Sequence, residues 1–443
     1  MGLGKVRTKE EAIEWIHSLK TLGIKPGLDR MEWMLERLDH PERRVKFVHV
    51  AGTNGKGSTV SFISQVLRKS GYKVGTFTSP YLIEFTNRIQ VNGKDISGED
   101  LVKTLNQVIP LAEELSHLEL GAPTEFEVVT AIAIQYFATI AYPDVVVWET
   151  GLGGRLDSTN VVHPIVSVIT NVGYDHMNLL GDTIKEIAWE KAGIIKPGVP
   201  VISGVEDEEA LQVIKEMAAS KKAPIYQLNE HFTFTANKIN QEGSSFDFTD
   251  PFLTMPEIQI RMLGPHQVKN AAVSLMALDV LRQFYAFYID EEAFYSGMKS
   301  TFWPGRLEVL SEQPKIVIDG AHNPEGAKSL AEAISLFSYQ RCIMVTGILA
   351  DKAISNFYQA IHSIADLLIV TEPDFPRAAK AEDVRNKIHS IDQQKEVIEI
   401  SNWQQAVDRA IQMADPDDLV IITGSLYMIS DVRRFLLNER EKN

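Results

Sequence analysis

The sequence predicts an α/β protein: a larger parallel-sheet domain over residues 1–297 and a smaller one over 298–443, joined by a hinge at about 295–306. Three observations predict it. Short β-branched runs alternate with helix-length segments along nearly the whole chain, the pattern of strands linked by crossover helices. The rhythm breaks at 230–263, where period-two alternation takes over, and again at 295–306, a stretch holding Gly297, Pro304 and Gly305 that reads as a linker. At 443 residues, finally, the chain is too long for one core.

Taken in order, Val45, Phe47, Val48 and Val50 mark a buried strand at 45–50, and the β-branched runs at 74–78, 145–149, 165–170 and 199–203 add four more. Helices fit 10–19, 31–38, 58–70, 99–115, 125–140, 183–192 and 208–219. Alternation in 231–235 and 246–249, either side of Gln241-Glu-Gly, reads as a β-meander, and a helix follows at 268–284. Strands then resume at 315–318, 342–346, 367–370, 396–400 and 419–422, separated by helices, with a last helix near 428–438.

Composition narrows the class. Hydrophobic residues at 44% against 23% charged are ordinary for a soluble globular protein. A formal charge of −15 argues against a general nucleic-acid or membrane-surface binder, and requires any anionic substrate to be held by a local cluster of donors. The only cysteine, Cys342, lies in an apolar run and reads as a buried strand residue. The charged start of the chain lacks an apolar leader, no run approaches a membrane span, and Val6 breaks the myristoylation pattern, so a reducing, cytoplasmic setting is expected.

The most informative stretch is Gly52-Thr-Asn-Gly-Lys-Gly-Ser58. Strand, glycine loop and helix start in that order make a phosphate cradle: backbone N–H groups turn inward, the helix N-terminus adds a positive end, and Lys56 supplies a charge. The spacing is not the strict G-x-x-x-x-G-K-[ST] loop, because Gly57 separates Lys56 from Ser58. Nucleotide binding follows, though not by a standard kinase or GTPase. Glu149 stands where another buried strand ends, ahead of Gly-Leu-Gly-Gly-Arg155-Leu-Asp157, and a carboxylate facing a phosphate loop suits Mg²⁺. Asp175 and His176 follow a third strand end, and an imidazole there can complete a metal site. Ser79, after a fourth, can add a hydroxyl. Lys191 closes a helix that also carries Glu186 and Glu190. Further along, Asn270 on the helix opened by His266 can read a base edge, Arg306 is a fixed cation for a phosphate or carboxylate, and Asp319 and His322 mark another strand end.

Together with Thr-Ser-Pro-Tyr-Leu (78–82), Glu-Lys-Ala-Gly-Ile (190–194), His-Gln-Val-Lys-Asn (266–270) and Asp-Gly-Ala-His-Asn-Pro (319–324), these motifs resemble the folylpolyglutamate synthase/dihydrofolate synthase family of the Mur ligase superfamily. The resemblance runs from about residue 10 to the C-terminus. It implies a P-loop ATPase-type parallel-sheet domain followed by a smaller Rossmann-like α/β domain, working as a monomer. It also implies an ATP-dependent amide ligase that joins L-glutamate to the γ-carboxylate of folates through an acyl phosphate, with dihydropteroate as a further acceptor.

Position by position, the resemblance assigns the ATP phosphates to Thr53, Asn54, Gly55, Lys56, Gly57 and Ser58, and Mg²⁺ to Ser79, Glu149 and His176. Lys191 matches a lysine that is carbamylated in the family. Asn270, Arg306, Asp319 and His322 would contact nucleotide or incoming glutamate; Lys56, Lys191, Asp319 and His322 make the catalytic set. Ser79, Tyr81, Thr124, Phe126 and Arg155 fall to the folate side. Two competing readings remain at this point: a peptidoglycan-type Mur ligase, whose loop lacks the inserted glycine, and a P-loop phosphotransferase with no amino-acid substrate.

Overall fold

The computed structural model describes residues 5–81 and 83–440; Leu82 of the 78–82 motif and the first four residues of the charged start lie outside them. The first sheet has eight strands, in the order Lys94–Asp95, Ile89–Val91, Val74–Phe77, Val145–Glu149, Phe47–Ala51, Val166–Ile169, Val201–Ser203, Ile225–Gln227. The six strands from Val74–Phe77 onward run parallel, and the two at the other edge are antiparallel. Phe47–Ala51 is buried throughout because both faces are covered, which is why it reads as a continuous apolar run. Val48 and Val50 pack with helices Lys56–Lys69 and Pro265–Phe284. Phe47 turns to the opposite face with Trp148 and Phe77, whose rings stack at 4.3 Å under helices Gly98–Ser116 and Glu125–Tyr136. With Phe47–Ala51 at the centre, the loops after four parallel strands open on one rim, where open α/β sheets bind ligands.

The meander expected at 230–263 is a three-stranded antiparallel sheet, Thr233–Asn240, Gly243–Thr249 and Thr254–Ile260. Its Phe246, Phe248 and Ile258 join the core of helix Pro265–Phe284. Asp250, just past its middle strand, is buried and accepts from the N–H groups of Phe252 (2.8 Å) and Leu253 (2.9 Å). Asp250 Oδ2 and the Oδ2 of fully buried Asp279 each lack a hydrogen-bond partner among the described residues. Burial, then the charge of Asp279, pushes Asp250 up from 3.8 to about 6. A carboxyl raised on folding contributes stability below its unfolded pKa and loses it as pH rises through the folded one. Asp250→Asn is therefore expected to melt several degrees above the parent at about pH 8 and close to it at about pH 4. Thermal melts that shift equally at both pH values would contradict the assignment.

The second sheet has six strands, in the order Glu308–Glu312, Lys315–Ile318, Leu419–Thr423, Cys342–Thr346, Leu367–Glu372, Val397–Asn402. All neighbours are parallel except the first pair, a hairpin whose outer strand, Glu-Val-Leu-Ser-Glu, shows no clean alternation. Strands 89–91, 94–95 and 225–227 have no sequence signal either, being only two or three residues long. The linker reading of 295–306 needs correction. Helix Glu291–Ser300 takes in its first half, and a Cβ on Gly297 would meet Val66 at 2.6–2.7 Å, so that turn is packed hard against helix Lys56–Lys69. The non-helical connector starts at Thr301. Among the described residues no helix is long and apolar enough to cross a membrane.

Candidate active site

The phosphate loop forms because the chain must leave a buried strand and enter a helix within four residues. Gly55 makes that turn with φ 80°, a region costly for any residue with a Cβ, and a side chain there would also collide with the Asn270 amide. Helix Lys56–Lys69 starts without a side-chain cap, leaving its first N–H groups for an anion. The loop is pinned to the neighbouring strand end: Thr170 Oγ1 donates to Asn54 O (2.6 Å), Asn54 N to Asn171 Oδ1 (2.8 Å) and Thr53 Oγ1 to Gly173 O (3.0 Å). Lys56 Nζ bends back to donate to Gly52 O (2.9 Å) and Thr53 O (3.2 Å). Gly57 has a separate reason: a Cβ there would lie 2.9 Å from Trp303 Nε1, so the connector's indole rests on the first turn of this helix.

Glu149 is 4% exposed and accepts from Ser79 N at 3.2 Å. Burial raises its pKa to about 7 against the pull of Lys56. Lys191, 3% exposed, is pushed down to about 7 by burial and then by Lys56. Burial also lowers Lys56 itself, opposed by Glu149. On the cavity these groups share, five cations (Lys56, Lys191, Lys352, Arg306, Arg377) outnumber three acids (Glu149, Asp175, Asp351) among the described residues, which leaves it short of negative charge. The 149–160 turn winds around Asp157, whose carboxylate accepts from Leu152 N (2.7 Å) and Thr159 N (3.0 Å). Arg155, two residues earlier, pairs with Glu190 at 2.7 Å.

Lys56, Glu149 and Lys191 line a cavity of about 170 Å³, together with Ser79, His176, Arg306 and His322. Two further hollows open from it. One reaches Ser58, Asn270 and Asp319 beside His266. The other, walled by Phe126, Leu156 and Leu179, also touches Thr124 and Arg155. Ser79, His176, Arg377 and Tyr427 line both this hollow and the central cavity. Tyr81 lines a third hollow, beside Gln65, Phe302 and Trp303, which shares Ser79, Glu149 and Arg306 with the central cavity; the Arg88 guanidinium lies 5.2 Å from its ring.

Two assigned side chains have other work. Thr124 caps helix Glu125–Tyr136 in a reciprocal pair with Glu127, so its hydroxyl is engaged. Asp319 accepts from Leu307 N (3.0 Å) and Ala321 N (2.8 Å), which makes it a brace for the turns carrying Arg306 and His322. Sequence reasoning missed Lys352, Arg377, Ser425 and Tyr427, all on the central cavity. Lys352 and Ser425 follow strands Cys342–Thr346 and Leu419–Thr423, so the strand-end rule applied to the second sheet would have found them.

The donor set suits Mg²⁺ in part. Glu149 and Ser79 are hard oxygen donors facing the loop, and Mg²⁺ takes few protein ligands when phosphate oxygens are present. Among the described residues no three His, Cys, Asp or Glu side chains gather as a self-sufficient metal site. His176 Nε2 lies 3.2 Å from Lys352 Nζ, and burial lowers the ring to about 4, keeping it neutral as a ligand must be.

An uncapped helix start beside a buried acid, with a second sheet closing the cavity, makes a cleft suited to a nucleotide's phosphates. Residues 50–278 match the Mur ligase middle domain and residues 305–426 the Mur ligase glutamate ligase domain. The chain is 44% identical over 434 residues to the dihydrofolate synthase/folylpolyglutamate synthase of Bacillus subtilis (strain 168), covering 96% of this chain and 99% of that one. It is 34% identical to the folylpolyglutamate synthase of Lacticaseibacillus casei, over 96% and 98% of the two chains. The crystal structure of Mycobacterium tuberculosis folylpolyglutamate synthase complexed with ADP and AMPPCP superposes with a TM-score of 0.90 at 29% identity, over 97% and 99% of the chains. The E. coli FolC complex with DHPP and ADP gives 0.87 at 28%, over 97% and 98%. The chain belongs to the dihydrofolate synthase/folylpolyglutamate synthase family.

Proposed function

We propose that this protein is an ATP-dependent amide ligase that adds L-glutamate to the γ-carboxylate of a folate. The observation that carries the reading is the central cavity: a phosphate loop, an apolar hollow beside Phe126 and cations from the second sheet meet there. A carboxylate is a poor electrophile, so one of its oxygens first attacks the terminal phosphorus of ATP and ADP leaves. The amine of glutamate then attacks the acyl carbon, inorganic phosphate departs with the bonding pair, and the amine gives up its proton. Lys56 and the N–H groups of 53–58 hold the phosphates, and Arg306 and His322 face the transferring group and the incoming glutamate. Asn270 stands over Gly55 on the nucleotide side, and Asp319 keeps Arg306 in place. Glu149, Ser79 and His176 would hold Mg²⁺, which when bound offsets charge on the phosphates. Phe126 and Leu156 offer a flat acceptor an apolar wall, and Arg155 lies at its rim.

The two α/β units would close over ATP about the 301–306 connector. A monomer is proposed, as the family resemblance implies, and the buried free thiol of Cys342 fits a cytoplasmic setting. Dihydropteroate is a second acceptor on this reading, because its ring would meet the same hollow. Incubation with ATP, labelled glutamate and either tetrahydrofolate or dihydropteroate, followed by mass analysis, is expected to show one added glutamyl unit per ADP formed. ADP release independent of both other substrates would overturn the proposal.

A further inference from the structure

We propose that Asp175 is a positioning residue that seats the second sheet's donors over the phosphate loop. It follows strand Val166–Ile169 in the first sheet, and its side chain is 10% exposed. Three side chains from the second sheet converge on it. Lys352 Nζ donates to Oδ1 at 2.6 Å, Asn323 Nδ2 donates to Oδ2 at 3.1 Å, and His322 Nε2 lies 3.5 Å from the same Oδ2. Asn323 also exchanges hydrogen bonds with Asn54 of the phosphate loop at 3.0 and 3.2 Å. One carboxylate therefore ties the loop after a first-sheet strand to two separate segments of the second sheet.

This arrangement is built rather than incidental. Lys352 is 7% exposed, and a buried ammonium without a partner is strongly unfavourable, so the pair holds only when the two sheets are together. Gly320 O lies 2.8 Å from His322 Nδ1, which fixes the ring and turns Nε2 toward Asp175. Both oxygens of Asp175 are engaged by these donors, so it acts through Lys352 and His322 rather than on a reacting atom. Those two residues line the central cavity, where misplacement by about 1 Å is enough to lose about a hundredfold in rate. The inference rests on the ligase reading for its kinetics but not for its geometry.

The test uses the full-length chain with Asp175→Asn, Lys352→Met and the double variant. Each single variant is expected to lose about a hundredfold in kcat, with KM for ATP within about twofold and melting temperature within a few degrees. The double variant should be no slower than the slower single one, because both remove the same tie. Small-angle scattering without ligands should show a larger radius of gyration in all three variants. Losses that multiply in the double variant, or near-parental kcat with an unchanged radius, would overturn the proposal. If the parent formed no glutamyl product, the ligase reading would fail while the scattering comparison still tested the tie.

Discussion

Lys56→Ala is expected to lower glutamate addition by about a thousandfold or more, because preorganised charge at a transferring phosphoryl group is among the largest catalytic terms. Its ammonium bends over the loop onto Gly52 O and Thr53 O, and the uncapped helix start supplies N–H groups but no full charge. Removing it also disturbs the partner acid. Glu149 already sits at about 7 with Lys56 present to lower it. Without the lysine the acid loses the charge that opposes its burial, so its pKa rises further. Glu149→Ala is accordingly expected to be as inactive as Lys56→Ala. Steady-state ADP release with folate and glutamate measures both, and a tenth of parental activity in either variant would rule out the roles given.

Lys191→Ala should also be close to inactive, and its parent lysine should respond to carbon dioxide. A lysine held near 7 is largely a neutral amine just above that pH, and a neutral amine adds CO₂ to give a carbamate plus a proton. The product places a carboxylate beside Lys56 in a site short of negative charge. Activity in CO₂-depleted buffer should therefore fall, and added bicarbonate should restore it more fully at about pH 8 than at about pH 6. Stability separates this from misfolding. A lysine whose pKa drops on folding binds more protons when unfolded, so folding gains as pH rises from 7 towards 10.5. Replacing it with an apolar residue removes that penalty at neutral pH, and Lys191→Met should melt no lower than the parent. Full activity of the parent without CO₂ would exclude the carbamate.

Much of this site was legible in the sequence because its chemistry sits at strand ends. Glu149, His176 and Lys56 each follow an apolar run that could be only a buried strand, so their shared rim followed from topology alone. What escaped depends on contacts between distant segments. Nothing near Asp175 announces a partner 177 residues away at Lys352, and no local pattern shows that Thr124 is committed to a helix cap or that Asp319 holds backbone N–H groups. The segment 295–300 was misread for a related reason. Its glycine is a contact with Val66, not a flexible joint, and composition cannot tell the two apart.

Gly57, the glycine that sets this loop apart from the common phosphate-binding pattern, has a mechanical consequence. With no side chain between them, the first turn of the nucleotide-binding helix and the Trp303 indole touch like meshed gear teeth. A methyl group at position 57 would need room that the indole already fills, so Gly57→Ala is expected to push apart the helix start and the connector.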